Sequence, residues 1–365
     1  MSFIADWRCR SRAAGGSVVT GDSGNSGRGP AGIDLERVTG WFTENVDGVR
    51  PPLRFDLITG GRSNLTYRVD DSAGRRFVLR RPPTGNVLST AHDVVREWRI
   101  IDHLADSPVP VAPVVGCCTD HTVTGADFYV MEFVDGVVLT DDQTLAQVPR
   151  ERRVAASEDF VDTLVAIHAV STETGPLAEF RRPGSYLERQ LRRWSRQLEA
   201  GKVGPGPIWE VCELLSRDIP EQKWTGIVHG DYRPGNLLTG SDGKVQAVLD
   251  WELWTVGDVL ADLGWLAASW ASAEVLGWSP DPAEGFLDVK AAVDRYATRT
   301  GRDLSDMRYY HAFALWRLAA INEGVIARFR AGAMGEQEVD TEYMAQRTAW
   351  LCETARGVLA GQGPF

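Results

Sequence analysis

Residues 228–238 read VHGDYRPGNLL, and a short distance later residues 248–252 read VLDWE. Together they form a β-rich island, residues 226–251, within a half of the chain whose apolar spacing is otherwise helical. The island carries three polar residues, Asp231, Asn236 and Asp250, each next to a predicted strand in apolar surroundings. These three residues are therefore the first candidates for a functional site.

The order of these three side chains is typical of phosphoryl transfer. An Asp is followed five residues later by an Asn, and fourteen residues after that by a second Asp. In that chemistry Asp231 orients or deprotonates the attacking hydroxyl, while Asn236 and Asp250 hold Mg²⁺ ions that bridge the phosphates of ATP. Mg²⁺ prefers a few such oxygen ligands together with phosphate and water. Each residue alone is typical of a turn, but the three together predict an ATP- and Mg²⁺-dependent kinase site.

The sequence divides into a tail and two lobes. Residues 1–32 are rich in Gly and Ser and are predicted to be a disordered tail without a signal peptide. Residues 33–134 predict a β-rich nucleotide-binding lobe, with a helix at 33–45, a helix at 91–104 and strands at 55–59, 66–69, 76–80, 109–117 and 128–133. Residues 135–365 predict a mainly helical catalytic and substrate lobe, which includes a helix at 186–200 and, in the β-rich island, strands at 227–228 and 245–249. The expected class is α+β, with a small antiparallel β-rich lobe first.

Two segments of the first lobe are candidates for binding ATP through their backbone. Adjacent glycines between two predicted strands allow N–H groups to approach phosphate oxygens, and the neighbouring side chains add donors; the residues are Gly60, Gly61, Ser63 and Asn64. The end of the strand at 128–133 is the expected hinge that holds the adenine; its residues are Met131, Glu132, Phe133 and Val134.

The strand at 76–80 supplies the cation expected at the ATP phosphates. Kinases commonly use Lys at this place, and this sequence has Arg80. Glu97, on the helix that follows, is expected to pair with Arg80 and to fix its position. Arg81 points to the opposite face of the strand and is expected at the surface.

A basic cluster stands out in this acidic chain. Six arginines between residues 181 and 196 face only Glu188 and Glu199. One interpretation is a solvated surface whose arginines pair with the protein's own acids. The other is an anion site for a phosphorylated substrate such as an acyl-CoA, for which the candidates are Arg189, Arg193 and Trp194. Glu252, beside Trp251, is a further substrate candidate.

Composition excludes several classes of function. The formal net charge is −11, so general binding to nucleic acid is not expected. The sequence lacks the run of about 20 apolar residues that a membrane span requires. The five cysteines are odd in number, and two of them, Cys117 and Cys118, are adjacent. These features predict a reduced, cytoplasmic chain.

The quoted motifs resemble the aminoglycoside phosphotransferase-like kinases, a group that also includes choline, homoserine and fructosamine kinases. The resemblance covers about residues 36–360 and implies a two-lobed protein-kinase-like fold. Residues 61–67, 78–83, 185–194 and 250–253 resemble more closely the kinase-like domain of long acyl-CoA dehydrogenases. That subgroup fits Arg80 in place of Lys, and it implies a hydroxyacyl-CoA as the phosphate acceptor. Flavin chemistry is not expected, because no dehydrogenase domain follows.

Two other functions stay open from the sequence. An aminoglycoside kinase needs a carboxylate-lined site for its polycationic substrate, and the basic cluster argues against one. A catalytically silent nucleotide-binding module that regulates a partner is favoured by Arg80 in place of Lys, but opposed by the retained Asp231, Asn236 and Asp250. The remaining polar residues of the region are expected to be structural; they are His168, His229, Asp258 and Asp262.

Overall fold

The protein is described by a computed structural model, which covers residues 29–58, 64–84, 93–330 and 340–365. The chain divides into two compact units. The N-terminal unit comprises residues 1–103 and 112–133, and the C-terminal unit comprises residues 104–111 and 134–365. The first is built on an antiparallel sheet and the second is mainly helical, which confirms the predicted α+β class.

The N-terminal unit contains a five-stranded sheet in the order β1-β2-β3-β5-β4, with every neighbouring pair antiparallel. The strands are β1 (Arg54–Leu57), β2 (Leu65–Asp70), β3 (Arg76–Arg81), β4 (Val114–Cys118) and β5 (Phe128–Glu132). The helices are α1 (Leu35–Asn45), α2 (Val94–Leu104) and α3 (His121–Thr124).

Helix α1 covers one face of this sheet. Its first turn is capped by Asp34, whose side chain accepts a hydrogen bond from the Arg37 backbone N–H. Phe42 of α1 is fully buried and meets Phe55 of β1 and Phe77 of β3 edge to face, with ring centres 6.3 and 5.7 Å apart. This aromatic packing forms the core of the unit.

The expectation that Arg81 is a surface charge was wrong. Arg81 is buried, and its guanidinium donates hydrogen bonds to the carbonyls of Gly32, Pro82 and Thr124. The segment before α1 and the last residue of α3 thus cover the face of β3 to which Arg81 points. Three carbonyl acceptors replace the water that an exposed guanidinium would bind.

The C-terminal unit carries most of the helices. They are α4 (Asp142–Leu145), α5 (Arg153–Ala169), α6 (Tyr186–Ala200), α7 (Pro207–Arg217), α8 (Leu260–Ala271), α9 (Ala273–Leu276), α10 (Val289–Thr300), α11 (Met307–Arg330) and α12 (Thr341–Leu359). Five short 3₁₀ helices accompany them in the described part of the unit, at Arg150–Arg152, Gly175–Phe180, Pro234–Asn236, Trp251–Leu253 and Pro282–Glu284. None of the helices among the described residues is long and apolar enough to cross a membrane.

Two small sheets position the island residues. Strands β6 (Val137–Val138), β8 (Leu237–Thr239) and β9 (Val245–Val248) form one sheet. Strands β7 (Thr225–Val228) and β10 (Thr255–Asp258) form the other, and they are antiparallel. The sequence predicted only the strands at 227–228 and 245–249 here, so it missed β8 and β10. It also began β4 too early, because Pro110 and Pro113 have no N–H group to donate to a neighbouring strand.

Helices α6 and α8 differ in how much of their surface is buried. Ser185 caps α6 by accepting a hydrogen bond from the Glu188 backbone N–H, and one apolar stripe of this helix is buried. In contrast, nearly every residue of α8 is buried. Helix α8 therefore lies within the core, where its few polar side chains must find partners inside the protein.

Candidate functional site

Asp231 lies in the loop between β7 and β8, and its carboxylate is held from two sides. Oδ1 accepts a hydrogen bond from Trp265 Nε1 at 2.7 Å, and Oδ2 accepts one from Asn236 Nδ2 at 2.7 Å. Asn236 Nδ2 also donates to the Asp231 carbonyl at 2.9 Å. About a fifth of the Asp231 side chain, 22%, stays exposed. A fixed and partly exposed carboxylate is suited to accept a proton from a bound hydroxyl.

Asn236 presents one oxygen beyond these contacts. Because both Nδ2 bonds go to Asp231, the Oδ1 atom of this buried residue is left as an acceptor for another group. The Asn236 carbonyl in turn accepts a hydrogen bond from Leu249 N at 2.9 Å, immediately before Asp250. The two predicted metal-binding residues are therefore on segments joined by a backbone hydrogen bond.

Asp250 has an uncommon backbone conformation. Its φ of 64° and ψ of 60° are left-handed, and it precedes the 3₁₀ helix Trp251–Leu253. For a residue with a side chain this conformation costs about 1–3 kcal/mol and is typical of functional positions. Asn236 and Asp250 offer only oxygen, which fits the ligand preference of Mg²⁺. No three His, Cys, Asp or Glu side chains form a metal-binding group in the described residues; a Mg²⁺ ion held by Asn236 and Asp250 would take its remaining ligands from phosphate and water.

His229 braces this loop, as expected. Its Nδ1 accepts a hydrogen bond from the Asp231 backbone N–H at 3.2 Å, so Nε2 carries the proton and donates to the Leu249 carbonyl at 2.9 Å. The imidazole also packs against Trp251, with ring centres 4.6 Å apart. Both ring nitrogens are thus occupied within the fold.

Asp262 of α8 anchors the same loop through the backbone. Its oxygens accept hydrogen bonds from the N–H groups of His229 at 2.5 Å and Gly230 at 2.8 Å, and His168 Nε2 is 3.5 Å away. Burial works to raise the pKa of Asp262, but the contact with His168 and these hydrogen bonds hold it below its usual value. Asp262 is therefore a buried carboxylate that fixes the loop.

His168 and Asp258 have structural partners, as the sequence indicated. His168 Nδ1 lies 2.7 Å from the Tyr296 hydroxyl. Asp258 accepts hydrogen bonds from the Tyr310 hydroxyl at 2.7 Å and from Leu260 N at 3.2 Å. Burial raises the pKa of Asp258 to about 6.

A second charged cluster lies in the N-terminal unit. Arg80 Nε and Glu97 Oε2 are 2.8 Å apart, which is the pair that the sequence predicted. Glu97 is 2% exposed, and its other oxygen accepts a hydrogen bond from Asn64 Nδ2 at 2.8 Å. The Tyr129 hydroxyl donates to Glu97 Oε2 at 3.2 Å. Glu97 of α2 therefore connects β3, β5 and the residue before β2 around Arg80.

The other predicted ATP-binding residues are in two segments. Gly60, Gly61 and Ser63 lie outside the described residues. At the predicted hinge, Met131 pairs with Val78 in the sheet, and the N–H groups of Glu132 and Phe133 donate to the carbonyls of Pro113 and Arg76. Adenine would therefore have to use carbonyls of this segment or the backbone of Val134.

The basic cluster borders a cavity of about 460 Å³ in the C-terminal unit. Its lining includes Arg181, Arg182, Arg189, Ser185 and Gln222. Arg189 Nη1 donates to the Gly184 and Pro183 carbonyls at 2.7 and 2.8 Å, so part of its guanidinium is committed to the loop. Of the three substrate candidates Arg189, Arg193 and Trp194, the structure thus places Arg189 at this cavity.

The other substrate candidates lie elsewhere. Arg193 and Trp194 are not among the cavity's lining residues. The guanidinium of Arg193 is instead 5.5 Å from the centre of the Trp194 ring. Glu252 is half-buried in the 3₁₀ helix that follows Asp250.

Sequence reasoning missed two residues next to Asp231. Trp265 donates to its carboxylate, and Arg317 of α11 donates from Nη2 to the Gly230 carbonyl at 2.6 Å. The only available signal for Trp265 was its position three residues after Asp262, on the same face of a helix. Arg317 lies in a helix buried on nearly all sides and gave no signal.

Comparison with known protein families shows the family to which this chain belongs. The family profile described as "Phosphotransferase enzyme family" matches residues 55–313, which include Asp231, Asn236 and Asp250 as well as Arg80 and Glu97. The chain belongs to this family. The resemblance drawn from the sequence motifs is thereby confirmed.

Two relatives of this phosphotransferase-family chain are much longer proteins. Mouse acyl-CoA dehydrogenase family member 10 is 33% identical over 319 residues, covering 84% of this chain and 29% of its own length. The Arabidopsis thaliana probable acyl-CoA dehydrogenase IBR3 is 32% identical over 357 residues, covering 90% of this chain and 43% of its own length. The chain thus spans less than half of either relative.

Solved structures confirm the kinase-like fold. A Ralstonia eutropha protein, provisionally assigned as an aminoglycoside phosphotransferase, has a TM-score of 0.77 and 31% identity, covering 90% of this chain and 99% of its own. Choline kinase from Cryptosporidium parvum has a TM-score of 0.61 at 14% identity, covering 91% and 98%. The second likeness shows the fold alone, and together they establish the two-lobed protein-kinase-like class.

Proposed function

We propose that this chain is an ATP- and Mg²⁺-dependent kinase that phosphorylates a hydroxyl group of a small-molecule metabolite. The observation that carries the proposal is the carboxylate of Asp231, held by Trp265 and Asn236 while staying partly exposed. Asp231 would orient the acceptor hydroxyl and take its proton as the oxygen attacks the terminal phosphorus of ATP, while the bond from that phosphorus to the bridging oxygen breaks and ADP leaves.

Other residues of the chain would hold the nucleotide. Arg80, positioned by Glu97, would bind the phosphates, and a guanidinium can grip phosphate oxygens through two parallel hydrogen bonds. Asn236 and Asp250 would hold Mg²⁺, which when bound neutralises charge on the phosphates. In this chemistry most of the rate acceleration comes from positioning and charge stabilisation.

We propose a hydroxyacyl-CoA as the acceptor class. The longer relatives are named as acyl-CoA dehydrogenases, so their names associate this kind of domain with acyl-CoA chemistry. The cavity whose lining includes Arg181, Arg182 and Arg189 supports the proposal, because these three cations outnumber the two carboxylates of the lining, Glu188 and Glu221, and a net positive charge favours a phosphate-bearing ligand. Arg193 and Trp194 remain candidates for a separate part of the acceptor.

The catalytic role is tested with Asp231→Asn. The amide cannot take the hydroxyl proton, but it keeps the size of the side chain. It also leaves Arg80 and Glu97 in the N-terminal unit unchanged. We expect turnover to fall by at least about a hundredfold, the usual contribution of a general base, while a fluorescent ATP analogue binds as tightly as to the wild type. Turnover at the wild-type rate would contradict the assignment.

The acceptor is tested by measuring ATP-dependent phosphorylation of a panel. The panel contains hydroxyacyl-CoA thioesters, the corresponding free hydroxy acids and an aminoglycoside, each with and without Mg²⁺. We expect the thioesters to be phosphorylated with the highest kcat/KM and only when Mg²⁺ is present. A preference for the aminoglycoside would refute the acceptor class, and no turnover with any compound would favour a silent nucleotide-binding module.

A further inference from the structure

Arg317 is a buried cation without an acidic partner. It is 7% exposed, and within the described ranges no Asp or Glu forms an ion pair with it. Arginines are rarely buried this deeply unless they are paired, because removing a charge from water is costly. The position of this guanidinium therefore needs an explanation.

Two indoles and one carbonyl hold Arg317 in place. Its Cζ atom is 4.4 Å from the centre of the Trp265 ring and 5.9 Å from the centre of the Trp194 ring. Nη2 donates to the Gly230 carbonyl at 2.6 Å. Contacts of a cation with aromatic faces are favourable, so this cage orients the guanidinium without neutralising its charge.

Two donors of the same cluster have no acceptor. Arg317 Nε and Trp194 Nε1 are buried and make no hydrogen bond. A buried donor without an acceptor destabilises the fold relative to one that is satisfied. A ligand with several oxygens would satisfy both donors and supply the missing negative charge.

The cluster adjoins the carboxylate proposed to act on the acceptor. Gly230, which accepts from Arg317, directly precedes Asp231, and Trp265, which stacks on Arg317, donates to Asp231 Oδ1. A group bound by Arg317 would therefore belong to a molecule that also reaches Asp231.

We propose that Arg317 and the indole N–H of Trp194 bind an anionic group of the acceptor, a carboxylate or a phosphate, beside Asp231. That the bound group belongs to the acceptor rests on the proposed function, whereas anion binding itself requires no turnover. A guanidinium can bind either group through two hydrogen bonds. The same fixed cation would repel a polycationic acceptor, so Arg317 selects for negative charge.

The test is an anion titration in the absence of ATP. The wild type is titrated with malonate and, separately, with inorganic phosphate at constant ionic strength, and tryptophan fluorescence is recorded because Trp194 and Trp265 flank Arg317. We expect a saturable change. In Arg317→Met the affinity should fall at least about tenfold, as expected for losing a charge-assisted hydrogen bond, and in Trp194→Phe it should weaken to a smaller extent.

Two control variants locate the response. Arg192→Gln removes an exposed arginine of the same helix as Trp194, and Arg217→Gln removes an exposed arginine of α7; both should titrate as the wild type does. Arg317→Lys keeps the charge but not the paired donors, so it should fold and bind more weakly even if Arg317→Met does not fold.

The outcomes separate this proposal from the kinase proposal. No saturable change in the wild type, or Arg317→Lys binding as tightly as the wild type, would overturn the anion site. An intact Arg317-dependent titration in a protein that phosphorylates no acceptor would support the anion site and overturn only the kinase function.

Discussion

Replacing Asp262 with Asn should destabilise the C-terminal unit and misalign the loop that carries Asp231. The carboxylate accepts the N–H groups of His229 and Gly230 through different oxygens. In either orientation the amide offers one oxygen and one NH₂ group, so one buried backbone N–H loses its acceptor. The other hydrogen bond remains but loses its charge.

The loss in free energy of unfolding is the sum of these two effects. A buried N–H without an acceptor costs about 1–3 kcal/mol, and a hydrogen bond to a charged group is worth about 1 kcal/mol more than a neutral one. The sum is roughly 3 kcal/mol, which for a unit of this size lowers the melting temperature by about 6–12 °C. We expect a matching fall in the urea midpoint measured by circular dichroism.

A matched control isolates the buried position. Asp242 also accepts a backbone hydrogen bond, from Lys244 N at 3.0 Å, but it lies in an exposed turn. Asp242→Asn should change the melting temperature only slightly. If Asp262→Asn melts within 2 °C (roughly 0.5–1 kcal/mol) of Asp242→Asn, Asp262 is not the anchor of the loop.

Three further outcomes follow from the geometry. Glu97→Gln removes the charge that holds Arg80, so KM for ATP should rise about tenfold in steady-state assays while kcat changes less. Gly230→Ala should lower the urea stability at least about 1 kcal/mol more than Gly74→Ala. Both glycines have φ above +80°, but a Cβ atom on Gly230 would lie 2.9 Å from Leu253, whereas one on Gly74 would meet nothing within 4 Å. Asp258 has a folded-state pKa of about 6 against a reference of 3.8, so the folded protein binds more protons between these values, and wild-type stability should fall relative to Asp258→Asn as the pH rises from 4 to 6.

Each of these outcomes has a result that contradicts it. An equal rise in KM for the exposed Glu44→Gln would show that the Glu97 effect is not specific to Arg80. Equal losses for the two glycine variants would mean that backbone conformation alone, and not the contact with Leu253, makes Gly230 necessary. A stability difference between wild type and Asp258→Asn that does not vary with pH would contradict the raised pKa of Asp258.

The predictable part of the fold is the part specified by local pattern. Helix α6 was predicted with both of its ends, residues 186 and 200, because Ser185 caps it and a single apolar stripe spans its length. Strand β10 was missed because its four residues acquire strand geometry only by pairing with β7, which is distant in sequence. Arg81 was misplaced because alternation along β3 gives its face but not what covers that face.

The same distinction applies to the candidate site. Asp231, Asn236 and Asp250 could be proposed from the sequence because their types and spacing are typical of phosphoryl transfer. Arg80 and Glu97 could be paired because the first sits on a strand and the second on the helix that follows. Trp265 and Arg317 could not, because both lie in helices buried on nearly all sides, where apolar periodicity no longer marks one face.

Helix α8 holds the loop at two points with one rigid element. Asp262 binds the backbone N–H groups that precede Asp231, and Trp265, three residues later on the same face, binds the Asp231 carboxylate. Any shift of α8 would therefore move both the loop backbone and Trp265, the hydrogen-bond donor to the Asp231 carboxylate. Because the helix is buried along nearly its whole length, the orientation of Asp231 depends on how the core of the C-terminal unit packs, and substitutions far from the loop can alter it.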